Sequence, residues 1–228
     1  MKICNLFSKL ISTQSNELFD KIIGYDHIKR LFRMALNSDS AIHILLVGPP
    51  ASAKTMFLTS LMQELKNSYF ADGVSCTKAG MIDYMIENMP GTLLIDELDK
   101  MSAKDQAFLL NLMQTGIVSE TKYGKTKSVQ MKTSVFATSN NIKKISAPLQ
   151  SRFFIIDIEP YSYEQFCYIA EKLLLRQKVD TDIARTIVDA IWNKSQDMRD
   201  CVRIGALAKS VGDVKFILDN FLKPSSYD

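Results

Sequence analysis

Cysteine is scarce and scattered. Cys4, Cys76, Cys167 and Cys201 show no paired spacing, and only His27 and His43 are available to complete a metal site. Disulfide frameworks and zinc modules need clustered ligands, so both are excluded, and reduced thiols in a cytoplasmic setting are expected. No apolar run approaches the roughly 20 residues of a membrane span. Near the N-terminus Asn5, Ser8 and Lys9 interrupt what a signal-peptide core would need. Large charge excess is missing too: 28 basic against 25 acidic residues leave +3 at pH 7. That balance is too small to imply a nucleic-acid coat by itself. No repeat or low-complexity segment appears. Glycine is rare as well, nine in 228 residues, which makes its placement informative.

What remains is ordinary globular material, 46% hydrophobic and 23% charged, long enough for one domain and a small second one. The whole charge excess falls in Gly116–Thr133, where Lys122, Lys125, Lys127 and Lys132 face only Glu120. Ile3, Leu6, Phe7, Leu10 and Ile11 recur at helical spacing, so residues 1–21 read as an N-terminal helix packed on the body.

Helix and strand signals then alternate, which favours a parallel sheet covered by helices. Ile22-Ile23-Gly24-Tyr25 reads as a turn and His27–Leu36 as a helix. Strand Ile42–Val47 precedes helix Thr55–Asn67. Tyr69–Ser75 reads as a second strand, Met81–Asn88 as a helix, Thr92–Asp96 as a buried strand and Ala103–Gln114 as an amphipathic helix. Two alternating runs, Ile117–Lys122 and Lys127–Lys132, flank Tyr123-Gly124-Lys125 and predict a hairpin insertion within 116–133. Ser134–Thr138 and Arg152–Ile158 complete the sheet, and Glu159-Pro160 is the expected domain boundary. Glu164–Gln177, Asp182–Ser195, Arg199–Lys209 and Asp213–Leu222 read as a small all-helical lid over 161–228.

Two stretches carry the chemistry. Leu45-Leu46-Val47 runs into Gly48-Pro49-Pro50-Ala51-Ser52-Ala53-Lys54-Thr55-Met56, an apolar strand, a loop of small residues and a helix start. Such a loop cradles phosphates with backbone N–H groups, Lys54 reaching the β/γ-phosphates and the Thr55 hydroxyl serving Mg²⁺. The second stretch, Leu93-Leu94-Ile95-Asp96-Glu97, ends in two carboxylates, Asp96 for that ion and Glu97 for the attacking water. Together they predict ATP hydrolysis with Mg²⁺. Asp99 and Lys100 read as solvated surface.

The order of these landmarks resembles the AAA+ ATPases over nearly the whole chain, with Gly48–Thr55 as Walker A and Ile95–Glu97 as Walker B. Thr138-Ser139-Asn140 resembles sensor 1, Leu149-Gln150-Ser151-Arg152-Phe153 the arginine-finger segment, and Asp197-Met198-Arg199 sensor 2. A lysine-bearing hairpin before the sensor 1 strand is similar to the pre-sensor-1 insertion of minichromosome maintenance helicases, RuvB, the MoxR group and certain protease unfoldases. Ala53 before Lys54 resembles the replicative-helicase Walker A, and Ser151-Arg152-Phe153 resembles RuvB and clamp loaders. Ala51 and Ala53 depart from the usual glycines and need negative φ to fit.

The resemblance implies a P-loop αβα core with a parallel sheet, a helical lid and a homo-oligomeric ring, hexameric in the family. It implies that Asn140, or Asn141 next to it, holds the water or γ-phosphate. Arg152 would reach a neighbouring subunit's γ-phosphate, unless it pairs with Asp157 instead. Arg199, or Arg203 one turn later, would couple the lid to nucleotide state, and Ile23, Gly24 and Tyr25 would contact adenine. Lys122, Lys125 and Lys127, with Tyr123 able to stack, would grip a DNA backbone, and Lys78-Ala79-Gly80-Met81 would form a second pore loop. A charged hairpin also serves as a solubilising edge. Three readings follow: a DNA motor, a MoxR-type protein remodeller, or an ATP-binding scaffold with little hydrolysis. RuvB and replicative helicases carry separate DNA-binding domains, so an accessory recognition subunit or a protein client is a further expectation.

Overall fold

The computed structural model describes residues 18–20, 22–50, 52–122 and 125–222, with backbone only at Lys122 and Lys125. The N-terminal helix expected over 1–21 lies almost wholly outside them. The chain divides into two compact units between Glu159 and Pro160.

In the first unit, α1 (Asp26–Leu36), β1 (His43–Val47), α2 (Lys54–Glu64), β2 (Ser68–Asp72), α3 (Lys78–Asn88) and β3 (Thr92–Asp96) alternate. A 3₁₀ turn at Leu98–Lys100 leads into α4 (Ala103–Thr115). The antiparallel hairpin β4 (Ile117–Lys122) and β5 (Lys125–Gln130) follows, then β6 (Ser134–Ser139). A second 3₁₀ turn at Ile142–Lys144, the short α5 (Ala147–Gln150) and β7 (Phe154–Asp157) close the unit.

The strands are near-continuous apolar runs because both faces of the sheet are covered. Its order is β2-β3-β6-β1-β7, all parallel. Alternate residues feed two cores. Leu45, Leu93, Ile95, Val135 and Ala137 pack with Met81, Met85, Leu109 and Leu112 of α3 and α4. Ile44, Leu46, Leu94 and Phe136 pack on the opposite face with Phe32 of α1 and Phe57 and Leu61 of α2. Phe32 stacks on Phe57 at 5.4 Å between ring centroids, and Phe136 meets Phe32 edge-on at 5.2 Å. The result is the three-layer αβα P-loop fold.

Local chemistry explains the helix ends. The Ser102 hydroxyl caps α4 by accepting from the Asp105 N–H. Thr77 caps α3 in the same way, accepting from the Gly80 N–H, so that helix begins three residues before its apolar pattern does. The hairpin's second strand likewise begins at Lys125 rather than Lys127, with Lys122 paired to Lys125 and Glu120 to Lys127.

The second unit holds α6 (Tyr163–Arg176), α7 (Thr181–Lys194), α8 (Met198–Leu207) and α9 (Val211–Asn220). Reciprocal capping boxes, Ser162 with Gln165 and Ser210 with Asp213, start α6 and α9. Its own core joins Phe166, Leu174, Ile187, Ile191, Ile204 and Val214.

His43 opens β1 with its Nδ1 accepting the Val135 N–H at 3.2 Å. Burial lowers its pKa from 6.5 to about 4. Between those values the unfolded chain takes a proton that the folded chain refuses, so stability falls as pH drops from 6.5 toward 4. His43→Gln keeps an acceptor and removes the titration. Urea midpoints at pH 7 and pH 5 are expected to differ less for the variant than for the wild type.

Candidate nucleotide site

Parallel register places the carboxyl ends of three strands at one sheet edge. Val47 lies opposite Ser139 and Ile95 opposite Ala137. The loop after β1, the acidic pair after β3 and Asn140 after β6 therefore converge. Ligands of open α/β sheets bind at this edge, where the strand order reverses around β1.

Gly48 begins the phosphate loop, its N–H bonded to the Ser139 carbonyl at 3.2 Å. A Cβ there would lie 2.5 Å from the Ile158 carbonyl oxygen, so a side chain is excluded by the backbone beside it. Ala53 has φ −68°, open to any L residue, so its methyl group is accommodated. Ala51 lies outside the described residues. Pro49, Pro50, Thr55 and Met56 are exposed, while Ser52 is half-buried.

Lys54 is buried and turned inward. Its ammonium donates to the carbonyls of Gly48 at 2.9 Å and Pro49 at 2.6 Å and to Ser52 Oγ at 2.9 Å. Burial lowers its pKa to about 8, against the opposing pull of Asp96, Asp99 and Glu97. The loop thus folds around a cation at the start of α2, where backbone N–H groups also favour an anion.

Thr55 Oγ1 donates to Asp96 Oδ1 at 3.2 Å, joining two residues that lie 41 positions apart in sequence. Thr138 supplies the link that sequence reasoning passed over. Its hydroxyl donates to the same Asp96 oxygen at 2.5 Å and accepts the Glu97 N–H at 2.9 Å. Glu97 sits at φ 53°, ψ 50°, a left-handed conformation costly for a side chain of its kind. The Thr138 bond holds that turn, and Gly73 presses on it from the other side. A Cβ at Gly73 would come within 2.2 Å of the Glu97 carbonyl oxygen, and the Gly73 N–H donates to the Asp96 carbonyl.

Asn140 Nδ2 donates to Glu97 Oε1 at 3.2 Å. Asn141 is used otherwise, its Oδ1 capping the next turn through the Lys143 N–H. Asp99, expected on the surface, is buried instead and accepts the Asn140 N–H at 3.0 Å. The 3₁₀ turn after Glu97 rotates it inward, whereas Lys100 is exposed as expected.

Arg152 is exposed and, among the described residues, forms no salt bridge with Asp157. It precedes β7, whose Phe154 lies opposite Ile44 at the amino-terminal end of β1. The phosphate loop leaves β1 from the other end, three residues or about 10 Å of strand away. Arg152 therefore stands at the edge opposite its own site. Tyr25 is drawn into the body: its ring meets Phe57 at 6.2 Å and its hydroxyl donates to the Glu159 carbonyl. Ile23 is half-buried beside it.

Lys78, expected in a loop with Ala79, Gly80 and Met81, is corrected to the first turn of α3, where its N–H donates to Asp105 Oδ1. Lys127 is exposed on β5, whereas Tyr123 and the side chains of Lys122 and Lys125 lie outside the described residues. In the second unit Arg199 clasps Asp197, with Nη2 to Oδ2 at 2.7 Å. Burial works to raise the Asp197 pKa, and the Arg199 hydrogen bonds outweigh it and hold it low. Arg203 pairs with Asp200 at 3.3 Å.

A buried lysine in a loop at a helix start, a threonine hydroxyl on an aspartate and a glutamate held by an asparagine define a P-loop ATPase site. The comparisons agree. The model of the ATPase family associated with various cellular activities (AAA) matches residues 44–160, more than half the chain. The chain belongs to this AAA family.

It is 27% identical to the DNA replication licensing factor Mcm6 of Drosophila melanogaster, over 81% of this chain and 26% of that protein. Identity to the zygotic licensing factor mcm6-A of Xenopus laevis is 25%, with the same coverage. The chain thus spans about a quarter of the length of these relatives. The Thermotoga maritima RuvB Holliday junction branch migration motor shares the fold, with TM-score 0.66 and 20% identity over 90% of this chain and 72% of that one.

Gly73→Ala tests the support beneath Glu97. The added methyl group displaces the acidic turn without touching the phosphate loop. ATPase turnover is expected to fall at least tenfold while affinity for a fluorescent ATP analogue changes less than threefold.

Proposed function

We propose that this chain is the motor segment of a homo-oligomeric ring, six copies in the arrangement the family resemblance implies, that hydrolyses ATP to translocate on or remodel DNA. The observation that carries the reading is the meeting of Thr55 with Asp96 and of Asn140 with Glu97 at the edge where the phosphate loop ends. Relatedness to replication licensing factors and a fold shared with a branch migration motor support DNA as the track.

Thr55 and Asp96 fit a magnesium ion that arrives with the triphosphate, a hydroxyl and a single carboxylate being too few donors to hold it alone. Among the described residues no cluster of three His, Cys, Asp or Glu is arranged to hold a metal, which suits an ion brought by its substrate. When bound, the ion neutralises charge on the β- and γ-phosphate oxygens.

The chain's own residues do the rest. Lys54 exchanges its carbonyl partners for phosphate oxygens, and the α2 N-terminus faces the same anion. Glu97 orients a water molecule and takes its proton as the water oxygen attacks the γ-phosphorus. The bond to the β,γ-bridging oxygen breaks, and ADP departs with that oxygen. Asn140 holds the Glu97 carboxylate in place and donates toward the water. Arg152, exposed at the far edge, reaches the γ-phosphate of an adjoining copy, where its guanidinium spreads over several oxygens. Arg199 reports nucleotide state to the lid by leaving Asp197. The hairpin lysines Lys122, Lys125 and Lys127 contact the DNA backbone.

Glu97→Gln is expected to lower turnover about 10²–10⁴-fold while ATP binding persists. A wild type as slow as this variant would favour an ATP-binding scaffold. Duplex or single-stranded DNA at low salt is expected to stimulate hydrolysis, and a triple alanine at Lys122, Lys125 and Lys127 to abolish the rise. ATPase activity indifferent to every nucleic acid would redirect the reading to a protein client.

A further inference from the structure

Between Asn140, which touches Glu97, and Arg152, at the opposite sheet edge, the chain crosses the flank of the domain in thirteen residues. This strut contains only the 3₁₀ turn Ile142–Lys144 and the four-residue α5. Neither is long enough to be rigid alone. Two glutamine side chains make it so.

Gln106 of α4 is buried, with 5% of its surface exposed. Its Nε2 donates to the Met101 carbonyl at 3.2 Å and to the Lys144 carbonyl at 3.0 Å, and its Oε1 accepts the Ser146 N–H at 3.0 Å. Met101 closes the turn that begins at Glu97, its N–H bonded to the Leu98 carbonyl. One amide therefore fastens the acidic turn to the middle of the strut. Asp99 fastens the same turn to the strut's beginning through the Asn140 N–H.

Gln150, two residues before Arg152, draws the end of the strut back on its start. Its Nε2 donates to the Ile142 carbonyl at 3.0 Å and the Ile145 carbonyl at 2.7 Å. The Arg152 N–H then bonds to the Leu149 carbonyl at 3.1 Å. A planar amide bonded to two carbonyls, as at Gln150, or at both its ends, as at Gln106, transmits displacement, because shifting one partner breaks a bond in a part-buried setting.

We propose that Gln106 and Gln150 are positioning residues that mount Arg152 on the acidic turn, so that nucleotide state at Glu97 and Asn140 sets the finger offered to the next subunit. This rests on Arg152 acting across subunits, as proposed above. Neither glutamine touches nucleotide. Gln150 bonds only within the strut, so its loss acts on the neighbour's site rather than on the subunit's own.

The test uses Gln150→Met and Gln106→Met, which keep side-chain length and remove the amide, beside Arg152→Ala. Each glutamine variant is expected to bind ATP analogue within twofold of wild type and to lose at least fivefold in kcat with KM unchanged. Mixed rings supply a readout that ordinary structural damage does not move. Glu97→Gln subunits carry an intact finger and a dead site, so adding them in equal amount is expected to restore turnover at the glutamine variants' own sites. Adding Arg152→Ala subunits is expected to restore nothing. Unchanged kcat in both glutamine variants overturns the proposal. So does failure of Glu97→Gln subunits to restore them while restoring Arg152→Ala. Full turnover by Arg152→Ala alone would instead remove the finger reading beneath it.

Discussion

One hydroxyl holds the catalytic edge together. Thr138 lies at the end of β6, between the strand that carries the phosphate loop and the strand that carries the acidic pair. By donating to Asp96 and accepting from the Glu97 N–H, it fixes the Asp96 carboxylate and the Glu97 backbone at once. Parallel register makes this possible, because strands in step bring their carboxyl ends to one level. Every other contact of the site is built around that level: Lys54 folded into its loop, Thr55 on Asp96 and Asn140 on Glu97.

The same register separates the two ends of the sheet. Residues after β1, β3 and β6 collect at one edge, while Arg152, just before β7, stands at the other. Arg152 thus lies away from the level of the phosphate loop, along the strand direction. The strut of residues 140–152 runs between these two ends of the sheet.

Strain and close packing are also present where the chemistry is assigned. Glu97 has a left-handed backbone, and Gly48 and Gly73 have no room for a side chain because carbonyl oxygens press on them. Such features persist only when neighbouring bonds over-determine them. Asp99 illustrates how they mislead a linear reading. A charged residue two positions past a strand normally faces water, but the tight turn after Glu97 carries it inward to meet a backbone N–H. Lys78 was misleading for the opposite reason. Its helix is started by a Thr77 cap and an Asp105 contact rather than by apolar spacing, so the periodic pattern begins later than the helix does. The short α5 offered too few residues for any period to show.

Much of this protein was nonetheless written in local order. Apolar runs bounded by turns marked the strands, because a sheet covered on both faces needs unbroken hydrophobic segments. The phosphate loop and the acidic pair were legible because their chemistry requires particular residues at fixed local spacing. Tertiary structure alone decided which asparagine meets Glu97, that Thr138 bridges the two carboxylate positions and that Gln106 and Gln150 brace the path to Arg152. Those choices rest on distances between segments about forty residues apart, or on side-chain amides turned toward backbone carbonyls. Hydrogen bonds of that kind leave no periodic trace in a sequence, since a single polar residue reads the same whether it meets water or a buried partner.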